Sequence, residues 1–134
     1  MEAKTKQFRK RGAILAYLRD THTHPSAEML HQMLQPEHPD ISLATVYRNL
    51  ALFKNQGIIQ SLGTVDGIER FDANTEPHVH FICKACHSII DLHQIQVPEQ
   101  LRSTVESTTG GQVAECQLSF TGICQSCCQA EKTA

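Results

Sequence analysis

The 134-residue sequence contains no apolar run that approaches the roughly 20 residues needed to cross a membrane. Its charged N-terminus is not followed by the apolar segment of a secretory signal. Internal repeats and low-complexity stretches are also absent. These absences argue against membrane, secreted and repeat proteins, and we expect a protein of the cytoplasm that has no membrane partner.

Basic residues are scarce after residue 73, where the only ones are Lys84, Arg102 and Lys132. Residues 1–17, in contrast, carry one acidic residue, Glu2, and a cluster of bases: Lys4, Lys6, Arg9, Lys10 and Arg11. A basic end on a chain of net charge −2 can mark a surface that faces nucleic-acid phosphates. An ordinary solvated helix start gives the same pattern, and charge alone favours that simpler interpretation.

The first half of the chain predicts three helices. Apolar spacing indicates one helix over residues 8–20 and a second that begins after the N-cap Ser26. A third helix is expected from the N-cap Ser42 to about residue 56, where Gly57 is placed to end it.

A β-hairpin is predicted to follow the helices. Its strands are expected over residues 58–62 and 68–71, with Asp66 and Gly67 in the turn between them. Three short helices and a hairpin predict a winged-helix DNA-binding domain, which we place at residues 1–72.

The third predicted helix has the properties of a DNA-recognition helix. Its apolar residues, expected to face the core, are Leu43, Val46, Leu50 and Phe53. At 100° per residue Arg48 points away from them, Thr45 also faces outward, and Tyr47 lies on a flank. Arginine reads guanine edges in the major groove, and apolar contacts read the thymine methyl. A merely solvated helix face is the alternative.

The second half predicts a small α/β dimerisation domain at residues 78–134, joined by a hinge at residues 73–77. The expected elements are strands at 80–83 and 88–93, a helix at 98–108, and a strand at 112–120. The last strand is predicted to have an apolar face formed by Ala114, Cys116, Leu118 and Phe120. The fold class is therefore α+β.

Two Cys-x-x-Cys pairs predict a structural zinc site made of Cys83, Cys86, Cys124 and Cys127. Thiolate sulfur selects zinc over harder metals, and four protein ligands leave no open position for catalysis. A redox dithiol and buried structural thiols are the alternatives. Cys128 leaves the register of the second pair slightly open, and Cys116 is interpreted as a core residue.

The chain also resembles the ferric uptake regulator family over about residues 11–127. The resemblance rests on Ser-Leu-Ala-Thr-Val-Tyr-Arg-Asn-Leu at 42–50, Arg-Phe-Asp at 70–72, His-Val-His-Phe-Ile-Cys-Lys-Ala-Cys at 78–86, Ile-Asp at 90–91, and the final Cys-x-x-Cys. A lone His-x-His is a weak metal signal, although its two imidazoles share one side of a strand. The order and spacing of all these runs are specific.

The resemblance implies a homodimeric winged-helix repressor that binds palindromic double-stranded operator DNA and contains structural zinc. It also implies a regulatory site for iron, Fe(II), or manganese, Mn(II), whose ligands would be His24, Asp72, His78, His80 and Asp91. Three imidazoles and two carboxylates suit these ions better than thiolate-seeking ones. Ligands drawn from both domains would couple metal binding to DNA affinity.

Aspartate at positions 72 and 91, where iron-sensing members tend to have glutamate, resembles the peroxide-sensing branch of the family. In that branch hydrogen peroxide is the signal: it reacts with bound Fe(II), a ligand histidine is oxidised, metal is lost and DNA is released. His24 and His78 match the oxidised positions. Mn(II) can fill the same site without that reaction.

Two departures from the family pattern affect DNA binding. The short N-terminus leaves Arg9, Lys10 and Arg11 as the expected contacts of that region, and Arg48 leaves the operator preference open.

Several alternatives stay open. An iron-responsive uptake regulator would have the same fold without histidine oxidation, and a zinc- or manganese-responsive regulator is a further candidate. A zinc nucleoside deaminase would need a glutamate where this chain has His80, so we expect no enzyme. A zinc-stabilised protein-interaction module would show no sequence-selective DNA binding.

Overall fold

The computed structural model describes residues 2–76 and 78–133. The chain divides into two compact units, Met1–Thr75 and Glu76–Ala134. The hinge expected at residues 73–77 spans this boundary, and its Pro77 lies outside the described residues. No described helix is long and apolar enough to cross a membrane.

The first unit has the expected winged-helix order of three helices and a hairpin. Its elements are α1 (Glu2–Asp20), α2 (Ala27–Leu34), α3 (Leu43–Asn55), β1 (Gln60–Val65) and β2 (Ile68–Asp72). α1 begins six residues earlier than the predicted 8–20. The described side chains at residues 6–9 are exposed, so this part of the helix has no buried apolar face. Apolar spacing in the sequence therefore could not predict it.

α2 and α3 begin where the sequence predicts, and α3 also ends there. The hydroxyl oxygens of Ser26 and Ser42 accept hydrogen bonds from the backbone N–H groups of Met29 and Thr45, each at 3.2 Å. Such an N-cap stabilises a helix by about 1 kcal/mol. α3 ends before Gly57, whose φ of +73° is the left-handed conformation that favours glycine.

The core of the first unit lies between the three helices and the hairpin. Its most buried residues include Ile14, Leu18, Leu30, Leu34, Ile41, Val46, Leu50, Phe53, Ile59 and Phe71. The predicted core residues of α3 are confirmed for Val46, Leu50 and Phe53, whereas Leu43 is only partly buried.

The hairpin confirms the predicted turn but corrects the first strand. Asp66 and Gly67 both have positive φ, at 54° and 77°, which is the type I′ geometry favoured by hairpin twist. The first strand begins at Gln60 rather than at residue 58. Ile58 and Ile59 precede it because their backbone N–H groups donate to the carbonyl of Phe53 and Ile59 packs into the core.

The second unit is a three-stranded sheet with two helices. Its elements are β3 (Val79–Cys83), β4 (Ile89–Leu92), α4 (Glu99–Thr109), β5 (Leu118–Gly122) and α5 (Gln125–Thr133). The strand order is β4-β3-β5, with β4 antiparallel and β5 parallel to β3. A parallel pair needs a long crossover, which contains α4. The sequence did not predict α5.

The expected strand at residues 112–120 is wrong in its first part, because β5 starts only at Leu118. Leu118 pairs with Val79, the first residue of β3, so the preceding segment lies beyond the start of its neighbour. Of the predicted apolar face, Ala114, Cys116 and Phe120 are exposed and Leu118 is half-buried. The interpretation of Cys116 as a core residue is therefore also wrong.

Replacing Leu50 by alanine should lower the free energy of unfolding by about 2–5 kcal/mol, because the side chain is 1% exposed and leaves a cavity. Denaturant unfolding followed by circular dichroism measures this loss. Leu52→Ala, the same change on the same helix at a half-buried position, is the matched control and should cost clearly less. Equal losses would contradict the assigned core face of α3.

Candidate metal centres

Four thiols meet where β3 ends and α5 begins. Cys83 is the last residue of β3, Cys86 follows in a turn, Cys124 precedes α5 and Cys127 lies in its first turn. Their sulfur atoms all lie within 4.8 Å of one another, and the Sγ atoms of Cys86 and Cys124 are 3.7 Å apart. Zinc–sulfur bonds of about 2.3 Å place tetrahedral sulfurs about 3.8 Å apart. The cluster therefore fits a zinc ion.

Backbone and side-chain groups near the cluster stabilise negative sulfur. The backbone N–H groups of Cys124 and Cys86 donate to the Cys83 sulfur at 3.3 and 3.5 Å, and they lower the pKa of this thiol to about 6. The Ser88 hydroxyl, 3.1 Å from the Cys86 sulfur, lowers the pKa of Cys86. In contrast, hydrogen bonding with the Cys124 thiol raises the pKa of Cys127 to about 12. Thiolates this close to one another repel, and a cation among the four sulfurs would offset this repulsion.

The two other cysteines lie outside this cluster. The Cys128 sulfur is 3.6 Å from the carbonyl oxygen of Ile123, to which it donates, and Cys116 is exposed. The thiol that lies with the other three is therefore that of Cys127 and not that of the adjacent Cys128.

In the first unit, His24 and Asp72 form a buried pair. The His24 Nε2 atom lies 3.3 Å from the Asp72 carboxylate, and the two residues are 3% and 9% exposed. The second carboxylate oxygen of Asp72 accepts from the backbone N–H of Asn74 at 2.9 Å. The backbone of His24 has a φ of +53°, which costs a non-glycine residue about 1–2 kcal/mol.

The loop that carries His24 is attached to the end of β2. The buried guanidinium of Arg70 donates to the carbonyls of His24 and Thr23, and the backbone N–H of Phe71 donates to the carbonyl of Pro25 at 3.1 Å. Burial lowers the pKa of Arg70. Sequence reasoning missed Arg70, although the Arg-Phe-Asp run puts it on the same strand face as Asp72.

In the second unit, His78, His80 and Asp91 converge. One carboxylate oxygen of Asp91 lies 3.1 Å from the Nε2 atoms of both histidines, and His80 pairs directly with Asp91 across β3 and β4. His93 is exposed but lies 3.8 Å from the other Asp91 oxygen and stacks on the His78 ring.

The imidazole and carboxylate donors of each unit suit a divalent ion of intermediate hardness, such as Fe(II) or Mn(II). His24 and Asp72 supply two donors in one unit, while His78, His80 and Asp91 supply three in the other. Neither group alone completes the six positions that these ions prefer.

The predicted DNA contacts lie on or beside α3. Tyr47 and Arg48 are exposed, whereas Thr45 is half-buried and accepts from Arg48 at 3.2 Å. The Tyr47 hydroxyl donates to the Glu28 carboxylate. Arg11 on α1 donates to the side chain of Asn49 at 3.3 Å, so it is attached to the same helix.

Comparison with known proteins identifies the family. The sequence profile of the ferric uptake regulator family matches residues 2–121. The chain belongs to this family.

Relatives of this ferric uptake regulator family member include a peroxide-responsive repressor. The chain is 39% identical over 118 residues to the repressor PerR of Staphylococcus epidermidis, which covers 88% of this chain and 78% of the relative. The peroxide stress regulator of Campylobacter jejuni is a similar solved structure, with a TM-score of 0.80, 27% identity and 94% of both chains covered. The Vibrio cholerae ferric uptake regulator has a TM-score of 0.71 and 30% identity, covering 86% of this chain and 88% of that one.

Replacing Cys127 by serine should release zinc and destabilise the second unit of this family member, because one sulfur of the tetrahedron is lost. Metal analysis by mass spectrometry and thermal unfolding measure both effects. Cys128→Ser, the same change on the adjacent residue, should keep zinc and stability. Loss of zinc from Cys128→Ser with retention in Cys127→Ser would reverse the assigned register.

Proposed function

We propose that this protein is a metal-dependent, peroxide-sensing transcriptional repressor that binds operator DNA as a homodimer. One Fe(II) or Mn(II) ion would be bound by His24, Asp72, His78, His80 and Asp91 together. The observation that carries this proposal is the pair of incomplete donor groups, one in each unit, whose members come close within their own unit. An ion that needs both groups connects the two units.

Such a connection explains how binding of the metal could change the affinity for DNA. The ion would restrict the orientation of the winged-helix unit against the dimerisation unit, and so the separation of two recognition helices in a dimer. A dimer reads two half-sites at a set spacing, so a palindromic operator is expected. Couplings between sites are typically about 1–3 kcal/mol, or about 5- to 150-fold in affinity.

A homodimer is supported by apolar residues that the sheet exposes. Ile90, Phe81 and Phe120 are register partners across β4, β3 and β5, so their side chains form a row on one face. Ile90 is 44% and Phe120 49% exposed, and Leu101 and Val105 on α4 are exposed as well. Exposed apolar patches of this kind mark association surfaces. We propose that a second copy of the chain covers them.

The peroxide response is supported by the aspartates at positions 72 and 91 and by the relatives that are named peroxide-responsive. Bound Fe(II) would start the cleavage of the O–O bond of hydrogen peroxide, and the histidine ring would supply the two electrons overall: one peroxide oxygen is added to the ring and the other leaves as water. His24 and His78 would be the oxidation targets, because they match the oxidised positions of the peroxide-sensing branch that the chain resembles. An added oxygen makes the ring a poorer ligand, and the metal and then the DNA are released. The role is regulatory and not enzymatic.

The peroxide mechanism predicts a modification that depends on iron. Treatment of the Fe(II)-loaded protein with stoichiometric peroxide should add one oxygen atom to tryptic peptide 20–48, which contains His24, or 71–84, which contains His78. Tandem mass spectrometry locates the oxygen, and Mn(II)-loaded protein is the control that should stay unmodified. Iron-loaded protein that keeps intact histidines and stays on DNA would instead support an iron-responsive regulator.

The DNA interface predicts that Arg48→Ala weakens binding to a selected palindromic operator by about 1–3 kcal/mol, the discrimination of one good base contact. Competition against random DNA, measured by fluorescence anisotropy, separates lost specificity from lost charge. Arg19→Ala is the matched control, since it removes the same charge from an exposed position in the last turn of α1. Equal losses on operator and random DNA for Arg48→Ala would contradict base reading.

A further inference from the structure

The geometry assigns to Arg70 the role of a positioning residue for His24: its guanidinium holds the backbone on both sides of this histidine, so that the imidazole faces Asp72. The inference rests on the proposed function, because it takes His24 and Asp72 as ligands of the regulatory ion. Nothing in the motif pattern gives Arg70 a role of its own.

The contacts lie on successive peptide groups. Arg70, 6% exposed, donates from Nη2 to the Thr23 carbonyl at 2.7 Å and from Nε to the His24 carbonyl. The Thr23 carbonyl belongs to the peptide plane before the His24 Cα atom, and the His24 carbonyl belongs to the plane after it. One planar guanidinium therefore restrains both φ and ψ of His24.

His24 needs this restraint because its backbone conformation is unfavourable. Its φ of +53° lies in the left-handed region, which residues other than glycine rarely occupy. The following Pro25 accepts a hydrogen bond at its carbonyl from the Phe71 backbone, which anchors the far side of the loop. Without Arg70 we expect the loop to relax and the imidazole to leave the Asp72 carboxylate.

The position of Arg70 in β2 makes it suited to this role. Arg70 and Asp72 are two residues apart in one strand and share a face. The residue that positions His24 and the second ligand therefore move as one rigid element. Arginine presents several donors in a rigid fork, whereas lysine has a single ammonium group. Lysine at position 70 would therefore restrain only part of the loop.

A purely electrostatic role has the opposite sign. If the cation acted mainly through its charge, it would repel a divalent ion, and its removal would strengthen metal binding. If Arg70 only stabilised the fold, its removal would weaken metal binding whether or not His24 is a ligand. These alternatives are separated by combining substitutions at the two residues.

The test uses the full-length zinc-containing protein with Mn(II) alone as the probe, titrated by electron paramagnetic resonance of the unbound ion. Arg70→Met should weaken Mn(II) binding roughly 10- to 100-fold, the usual effect of losing a group that orients a ligand. Arg70→Lys should give a smaller loss, and it carries the test if Arg70→Met does not fold. In a His24→Ala background both changes should have little further effect, because the ligand they position is gone. Lys54→Met, which removes an exposed positive charge, is the control and should leave Mn(II) affinity unchanged.

The outcomes separate this inference from the proposed function. Unchanged or stronger Mn(II) binding in both Arg70 variants overturns the positioning role, as does an equal loss with and without His24. If His24→Ala itself leaves Mn(II) binding intact, His24 is not a ligand. Both the proposed regulatory site and the positioning role of Arg70 would then be wrong. Thermal unfolding and zinc content are measured on every variant, and a loss of zinc or stability that accompanies the loss of Mn(II) binding in both Arg70 variants would mean that Arg70 only stabilises the fold.

Discussion

The four-thiol cluster is the constraint on which the second unit depends, because the described residues of this unit form only a small hydrophobic core. Its buried hydrophobic residues are Val79, Cys83 and Ile89, and α4 buries none of its residues. A unit of this size with so small a core normally needs a metal or a partner subunit. A zinc cross-link between β3 and α5 and a dimer across the exposed sheet face would supply both.

The same cluster is connected through β3 to the ligands that we propose for the regulatory ion. This strand carries His80 and ends at Cys83, and β4 presents Asp91 opposite His80. A shift of one residue in the pairing would turn His80 to the other face of the sheet. A zinc ion bound to Cys83 opposes such a shift. The zinc site, although it takes no part in sensing, would therefore preserve the geometry of His80 and Asp91. Loss of zinc is therefore expected to impair sensing as well as stability.

The parts of this fold that could be predicted from sequence are those with local signals. Ser26 and Ser42 cap their helices, and the Asp66-Gly67 turn has the expected geometry, because each depends on a few neighbouring residues. The early part of α1 and the limits of β5 depend on solvation and on where another strand begins, which no local pattern records. The contact of Arg70 with the His24 loop joins residues 46 positions apart, so only the folded chain reveals it.

In the proposed regulatory site the ligands come from both units, and this division matters for how a metal can act as a signal. An ion changes a conformational equilibrium only by as much as its affinity differs between the two states. If one unit held all the ligands, the ion would bind equally well in every orientation of the other unit, and DNA affinity would not change. The proposed division of ligands between the two units would make the affinity for the metal depend on the orientation of one unit against the other. A preformed loop around His24 would then preserve the proposed coupling, because little of the binding free energy would be lost in ordering the ligand itself.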